Sequence, residues 1–431
     1  MAYDIIIVGG GHNGLTCAAY LAEAGLKVLI LERRHTVGGA AVTEEFHPGF
    51  RNSVASYTVS LLQPRVIADL DLHRHGLKIV ERRVSNFLPL PSGDSFCSAP
   101  GLTQREVARF SKRDAERLPE YERRLDAIAD VVRALVLEAP PNLIEHGIGP
   151  AIEESLRAAG LAGRLNKLDM TAKRDLLDLF AKSAGDWLDT WFESDPPKAL
   201  FGFDSIVGNF ASPYTPGSAY VLLHHVFGEV NGKLGAWGHA VGGMGAITQA
   251  MARACEDAGV EISLEAPVAR VLVDGGKVRG VKLESGEEIA ASIVASNAGP
   301  ALLYRQLVDQ SDLDDDFKRR IKGYKTCSGT FRMNVALSEL PDFSVLSGKQ
   351  QAEHHTAGII IAPGMDYMDQ AFIDAQQHGW SKKPIVEMKI PSTVDDSLAP
   401  PGCHVASLFC QQFDPAVDWD ANREAVADLT E

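Results

Sequence analysis

A glycine-rich turn between two apolar runs is the most constraining feature of the sequence. Asp4 to Val8 is an apolar, β-branched run of strand length, and Lys27 to Leu31 is a second. Between them, Leu15 to Ala24 consists of good helix formers, and Gly25 follows where a helix would end. A strand, a glycine turn, a helix and a strand within about thirty residues predict a βαβ unit with parallel strands.

The glycines of this turn have the spacing G-x-G-x-x-G, at Gly9, Gly11 and Gly14. The first permits a tight turn, the second lets a pyrophosphate approach the backbone, and the third lets helix and strand pack closely. The amide groups at the start of the helix, those of His12 and Asn13 among them, would then face phosphates. The pattern predicts a dinucleotide site, and the alternative is a tight turn that binds nothing.

Glu32 narrows the choice of dinucleotide. It lies eighteen residues after Gly14, close to the position where such folds place an acid on a ribose hydroxyl. A carboxylate at this position would repel a 2′-phosphate, which disfavours NADP and leaves NAD and FAD.

Length and charge limit the class of protein. A chain of 431 residues is expected to form two or three domains. A formal net charge of -15 argues against a nucleic-acid partner, because an acidic protein repels phosphate backbones. Apolar runs are shorter than the roughly 18 to 20 residues of a transmembrane helix. Because the first strand begins at residue 4, we expect no signal peptide and a cytoplasmic location.

Cysteine and histidine spacing predicts neither a metal site nor a dithiol redox centre. The histidine pairs His224-His225 and His354-His355 are sequence neighbours, whose side chains point in different directions. The cysteines include no C-x-x-C pair, and Cys17 and Cys255 are interpreted as small core residues. The six cysteines are Cys17, Cys97, Cys255, Cys327, Cys403 and Cys410.

A second informative stretch runs from Gly235 to Pro300. It predicts a helix at 246–257, a short strand at 261–264, and a hairpin of strands 268–273 and 278–283 around the turn DGGK. A further strand is predicted at 293–296, and Asn297 follows it. The alternative interpretation of this region is a β-meander that serves only packing.

The remaining residues alternate between helical and strand patterns. Residues 104–139 and 151–184 have helical periodicity, the second interrupted at Gly160 and Gly163, and we interpret 81–232 as a helical insertion. After residue 306 the pattern indicates a mixed sheet, and the two parts together suggest a discontinuous α+β substrate domain. The predicted strands are 330–337, 358–361, 384–390 and 404–409, with a helix at 365–377.

Residues 32–40, ERRHTVGGA, resemble the signature of the amine oxidase and phytoene desaturase superfamily of flavoproteins. The resemblance implies FAD, with Glu32 on the ribose, Arg34 near the adenosine, and Gly38 and Gly39 against the diphosphate and ribityl portions. Many members have arginine where this chain has Ala40. It also implies a backbone contact from Val268 to the adenine and a position for Asn297 near the cofactor. The predicted cofactor-binding residues are therefore Gly9, Gly11, Asn13, Gly14, Glu32, Arg34, Gly38, Gly39, Ala40, Val268 and Asn297.

Longer stretches resemble one branch beside the phytoene desaturases, the pyridine nucleotide-disulphide oxidoreductase domain-containing proteins. They include GGGHNGLTCAAYLAEAG, SPYTPGSAYVLLHHVFGEV and LAPPGCHVASLF, and the similarity spans nearly the whole chain. The implied fold is α/β, with an FAD-binding Rossmann-like domain (parallel sheet plus β-meander) at 1–80 and 233–305 and a substrate domain at 81–232 and 306–431. The superfamily's C-terminal glycine-rich segment has no counterpart after Gly299. We therefore expect a truncated chain or, alternatively, a second polypeptide that completes the site.

The resemblance implies an oxidoreductase in which a substrate C–H or N–H bond passes hydride to flavin N5. Residues 214–225 are expected to line the substrate side, with Tyr214 and His225 as candidates for acid–base chemistry. The favoured alternative is that His224 and His225 only satisfy hydrogen bonds in a partly buried segment. His12 is interpreted as a residue that presents its backbone. Two alternatives stay open, a flavin-fold interaction protein with little turnover and an NAD-dependent dehydrogenase. The expected partner is a small-molecule substrate, peripheral membrane contact is an open alternative, and the sequence does not specify an oligomeric state.

Overall fold

A computed structural model of the chain describes residues 3–142, 148–326, 328–348 and 350–430. Cys327 lies outside these residues, and the five other cysteines are free thiols. The strands of the described residues are β1 (Tyr3–Val8), β2 (Val28–Leu31), β3 (Thr43–His47), β4 (Phe50–Ser53), β5 (Ile79–Glu81), β6 (Asn86–Pro89), β7 (Ser95–Ser98), β8 (Glu229–Val230), β9 (Lys233–Leu234), β10 (Gly238–Ala240), β11 (Glu261–Ser263), β12 (Val268–Asp274), β13 (Lys277–Leu283), β14 (Glu288–Ser296), β15 (Thr330–Leu337), β16 (Gly358–Ile361), β17 (Trp380–Lys389) and β18 (His404–Phe413).

The α-helices fall mainly between the strands that build the two large sheets. They are α1 (His12–Glu23), α2 (Pro64–Asp69), α3 (Thr103–Ala108), α4 (Lys112–Leu135), α5 (Ile148–Lys167), α6 (Met170–Ala181), α7 (Ala184–Asp189), α8 (Asp195–Asp204), α9 (His224–Phe227), α10 (Gly245–Asp257), α11 (Pro300–Leu302), α12 (Asp315–Lys322), α13 (Met365–His378) and α14 (Trp419–Thr430).

The first six-stranded sheet has the order β11-β2-β1-β14-β13-β12. Its first four strands are parallel, and β14, β13 and β12 form an antiparallel meander. Alternate residues of β1 point to opposite faces, so Ile5 and Ile7 pack with α1 and α10, while Ile6 and Val8 pack with the meander. The predicted α/β fold, a parallel sheet with a β-meander, is confirmed.

The second six-stranded sheet has the order β15-β18-β17-β16-β6-β7 and is mixed, because β16 and β6 are parallel while the other pairs are antiparallel. Its core includes Tyr121 of α4, Trp187 of α7 and Phe203 of α8, which pack against Ile360 and Ile385 of the sheet. The strands β5 and β10 pair separately as a two-stranded antiparallel sheet. The domain boundaries given above stay a prediction.

Two local expectations differ from the structure. The helix α5 continues through Gly160 and Gly163, where an interruption was expected. A glycine inside a helix costs only about 1 kcal/mol relative to alanine, and the neighbouring residues maintain the hydrogen bonds. The strands β6 and β7, within residues interpreted as a helical insertion, join the second sheet. They are four residues long each, too short to show a clear alternation.

Candidate active site

The glycine turn and the glycine pair lie against each other. Gly9 has a φ of 97°, a conformation that favours glycine, and the amide of Gly38 donates to the carbonyl of Gly10 over 2.9 Å. A Cβ added to Gly14 would lie 2.4 Å from the carbonyl oxygen of Gly9, and one on Gly39 would lie 3.2 Å from the Cα of Gly11. Side chains at these positions would therefore separate the helix, the turn and the glycine pair.

The amino end of α1 is open. Its N-cap residue is Gly11, and no side chain caps the helix. His12 and Asn13, the first two helical residues, are exposed and line a large cavity. The uncapped amides and the positive end of the helix dipole thus face a space that an anionic group can enter.

Glu32 and Arg34 lie at the carboxyl end of β2. The buried carboxylate of Glu32 accepts hydrogen bonds from the amides of Gly10, at 2.8 Å, and Arg34, at 3.0 Å. The guanidinium of Arg34 forms an ion pair with Glu44. The carbonyl of Glu32 accepts from the amide of Ala266, at 2.9 Å, which brings the segment just before Val268 beside it.

Asn297 and Ala40 complete the predicted set. The amide of Asn297 donates to the carbonyl of Val8 over 2.8 Å, and the Asn297 side chain covers Gly11, where an added Cβ would lie 2.4 Å from its Nδ2. Ala40 is exposed, and its carbonyl accepts from the amide of Ser56. The structure thus gathers the predicted residues around one end of the first sheet, while their contacts with a cofactor stay a prediction.

A cavity of about 950 Å³ extends from this end of the first sheet to the second sheet. Its wall contains Asn13 and Thr16 of α1 at one end and Glu387 and Lys389 of β17 at the other. Between them the wall is largely apolar, with side chains from α4, α8 and α10. They include Leu118, Leu125, Leu200, Phe203, Ile247 and Met251.

Of the two candidates for acid–base chemistry, only His225 lines this cavity. Its Nε2 lies 3.3 Å from Oδ1 of Asp204, and its ring stacks on Trp237 with centroids 5.1 Å apart. Burial, followed by the neighbouring His224 and Lys389, holds the pKa of His225 well below its usual value. Tyr214 does not belong to the cavity wall, because it packs on Gly185, where an added Cβ would lie 2.2 Å from its ring.

A buried charge cluster at the far end of the cavity, formed by Tyr57, Arg82, Arg332, Glu387 and Lys389, was not predicted. The Glu387 carboxylate accepts from the hydroxyl of Tyr57, at 2.5 Å, and from Nζ of Lys389, at 2.9 Å. The Cζ of Arg332 lies 4.4 Å from the centre of the Tyr57 ring. One signal was present in the sequence, since Glu387 and Lys389 interrupt an apolar run at a spacing of two and so share one face of the strand.

A buried hydrogen bond links β10 to the segment between β17 and β18. Nε2 of His239, in β10, lies 2.9 Å from Oδ2 of Asp395, which also accepts from the amide of Gly242 at 2.7 Å. The other oxygen of Asp395 accepts from the hydroxyl and amide of Ser397. Burial acts to raise the pKa of Asp395, but these hydrogen bonds, that of His239 foremost, hold it well below its ordinary value.

An Asp395→Asn variant is therefore expected to lose about 2 kcal/mol of stability at pH 7, because buried hydrogen bonds to a charged acceptor are weakened. Since the folded-state pKa lies below the unfolded value, this contribution is present above about pH 4 and is lost as the pH falls further. Urea unfolding at pH 7 and at lower pH measures the difference. The exposed neighbour Asp396→Asn is the control, and equal losses in both variants would contradict the expectation.

Two general properties of the described residues bear on the site. In these ranges, no helix has both the length and the apolar character needed to cross a bilayer. His, Cys, Asp and Glu side chains of the same residues form no group of three that could hold a metal ion.

The glycine turn, the buried acid and the adjoining cavity are typical of a dinucleotide-dependent oxidoreductase. A model of the flavin containing amine oxidoreductase family matches residues 14–330, and the chain belongs to this family. It is 38% identical over 428 residues to the rat pyridine nucleotide-disulfide oxidoreductase domain-containing protein 2, a match that covers 95% of this chain and 73% of that protein. The predicted superfamily is thereby confirmed.

Two further comparisons, one of sequence and one of fold, are consistent with this family. A phytoene desaturase (lycopene-forming) of Pantoea ananas is 25% identical over 413 residues, 92% of this chain and 74% of that protein. The structure of a putrescine oxidase bound to putrescine superimposes with a TM-score of 0.58 at 16% identity, over 100% of this chain and 81% of that one.

The cofactor is FAD, as family membership shows, and the chain is an FAD-dependent oxidoreductase. This result replaces the alternatives of an NAD-dependent dehydrogenase and of an interaction protein. The residues present fit the cofactor, because the uncapped start of α1 lines the cavity through His12 and Asn13, and no side chain stands at the neighbouring, exposed Gly39.

Proposed function

We propose that this enzyme oxidises a largely apolar substrate at a C–H bond in the cavity between the two sheets. The observation that carries the proposal is the continuity of that cavity from the first turn of α1 to the second sheet. When bound, FAD supplies the hydride acceptor, its N5 atom. The residues that would hold it are Gly9, Gly11, Asn13, Gly14, Glu32, Arg34, Gly38, Gly39, Ala40, Val268 and Asn297.

The cavity wall favours an apolar substrate over a cationic amine. The side chains of α4, α8 and α10 that line it exclude water and offer contacts to hydrocarbon. At the far end, Arg82 and Lys389 would repel a protonated amine. The relative named as a phytoene desaturase supports desaturation of a hydrocarbon chain as one such reaction.

Oxidation at a C–H bond also releases a proton, for which the chain offers Asp204 and His225. Burial, and then the charge of Glu387, raises the pKa of Asp204 well above its usual value, which favours the protonated form of its carboxyl. The neutral imidazole of His225 lies 3.3 Å away and can share that proton. We propose this pair as the proton relay of the site. The cytoplasmic location and a discontinuous substrate domain at 81–232 and 306–431 are part of the same proposal.

Anaerobic mixing of the FAD-loaded protein with single compounds tests the substrate class. Compounds with a long apolar body are expected to bleach the visible flavin absorbance, and putrescine is expected to leave it unchanged. Bleaching by putrescine alone would overturn the proposal of an apolar substrate. A His225→Gln variant is expected to retain bound FAD. Its flavin should bleach about a hundredfold more slowly, which is the lower end of typical acid–base contributions.

A further inference from the structure

The buried charge cluster contains more cations than anions. Three of its members, Arg82, Arg332 and Lys389, carry positive side chains, and only Glu387 carries a buried carboxylate. Lys389 is 8% exposed and Glu387 5% exposed, so neither charge is solvated as it would be at a surface. Burial, and then the charge of Arg82, lowers the pKa of Lys389 to about 8, which leaves the amine mostly protonated at pH 7.

The neighbouring Asp204 does not balance this charge. Its raised pKa favours the uncharged carboxyl, which leaves two positive charges without a counter-ion. Even an ionised Asp204 would leave one. The other carboxylates of the cavity wall, those of Glu122 and Asp126, are exposed on α4 and face solvent at its opening. A positive surplus inside a protein is unfavourable unless an anion pairs with it.

In the part of the chain that the structure describes, two nitrogens of each arginine in the cluster also lack acceptors, although Nη2 of Arg332 donates to the hydroxyl of Ser407 over 2.6 Å. Nε and Nη1 of Arg82 are buried without a partner among the described residues, and the same holds for Nε and Nη1 of Arg332. The remaining nitrogen of Arg82 lies 3.5 Å from the hydroxyl of Thr58, a long contact. A guanidinium remains protonated at neutral pH and offers its donors in a planar fork that matches a carboxylate.

We propose that the substrate carries a carboxylate, which binds Arg82 and Lys389 at the far end of the cavity while its apolar body lies along the wall towards α1. The substrate class is thus an apolar carboxylic acid. A monoanion fits better than a phosphate dianion, because the Glu387 carboxylate stays within the cluster and repels a second negative charge. The inference rests on the proposed function, since it assigns the substrate of the same cavity.

Calorimetric titration of the FAD-loaded protein with decanoate and with decan-1-ol tests the inference independently of turnover. Decanoate is expected to bind at least about tenfold more tightly than decan-1-ol, which has the same chain and no charge. Arg82→Met and Lys389→Met should each weaken decanoate binding by roughly ten- to hundredfold and leave decan-1-ol binding within about threefold. The matched controls are Arg83→Met and Lys167→Met. Arg83 is the exposed sequence neighbour of Arg82, and Lys167 is an exposed lysine of α5.

The outcomes separate the two proposals. If the purified protein does not bind added FAD, the proposed function is contradicted, and the titrations with decanoate and decan-1-ol are not needed to show it. Retention of FAD with equal binding of decanoate and decan-1-ol would overturn only the carboxylate assignment. Loss of FAD in Arg82→Met and Lys389→Met, with the fold intact by circular dichroism, would also overturn it, because the cations would then serve the cofactor.

Discussion

A Gly11→Val variant is expected to purify without flavin colour. Gly11 forms the surface between the start of α1 and the glycine pair, and a Cβ there would lie 2.4 Å from the Asn297 amide and 3.8 Å from the Cα of Gly39. The Asn297 side chain can move away, so the fold is expected to persist. The branched side chain would instead occupy the space through which a pyrophosphate approaches the backbone. The affinity for FAD should fall by at least about a hundredfold, roughly 2.7 kcal/mol.

The measurement is the visible absorption spectrum of the purified variant, followed by titration with FAD. Gly163→Val is the matched control, because Gly163 lies in the exposed helix α5 with no atom within 4 Å of an added Cβ. Equal flavin content in Gly11→Val, Gly163→Val and the unchanged chain would mean that the turn does not contact the cofactor.

A Glu387→Gln variant is expected to lose about 3 kcal/mol of unfolding free energy at pH 7 relative to the unchanged chain. Burial acts to raise the pKa of Glu387, but the charge of Lys389 and the hydrogen bond from Tyr57 bring it below the usual value. The carboxylate is therefore ionised, and its removal leaves the cations of the charge cluster without their internal counter-ion. An uncompensated buried charge costs more free energy than the pair contributed.

Urea unfolding in the presence of saturating FAD, followed by tryptophan fluorescence, measures this loss. Glu116→Gln, an exposed glutamate of α4, should change stability by less than about 0.5 kcal/mol. An unchanged midpoint for Glu387→Gln would contradict the role of Glu387 as the internal counter-ion, and the inference of a carboxylate substrate would lose its basis.

The first sheet was predictable because its signals are local. The turn glycines, the helix-forming segment after them and the DGGK hairpin each determine backbone conformation within a few residues. The helix at 365–377 was expected within one residue of its observed end. The strand expected at 384–390 instead begins at Trp380, because pairing with β18 extends it beyond its apolar run.

The charge cluster was not predictable from such signals, because its members come from distant parts of the chain. Tyr57 follows β4, Arg82 follows β5, and Glu387 and Lys389 lie on β17. Only the tertiary fold brings the hydroxyl of Tyr57 within hydrogen-bond distance of Glu387. Arg82 is preceded and followed by charged residues in the sequence, so nothing local distinguishes it from a solvated neighbour. The sequence therefore indicated the cofactor more clearly than the substrate.

The position of β1 within the first sheet also has a consequence for synthesis on the ribosome. One neighbour of β1 is β2, but the other is β14, and the hydroxyl of Ser292 bonds to the carbonyl of Asp4 across 288 residues. At elongation rates of ~5–20 residues per second, the unpaired side of β1 stays uncovered for roughly 15 to 60 s. During that interval an apolar strand edge is open to pairing with other nascent chains. Production of this protein should therefore be sensitive to the supply of chaperones that bind chains before they leave the ribosome.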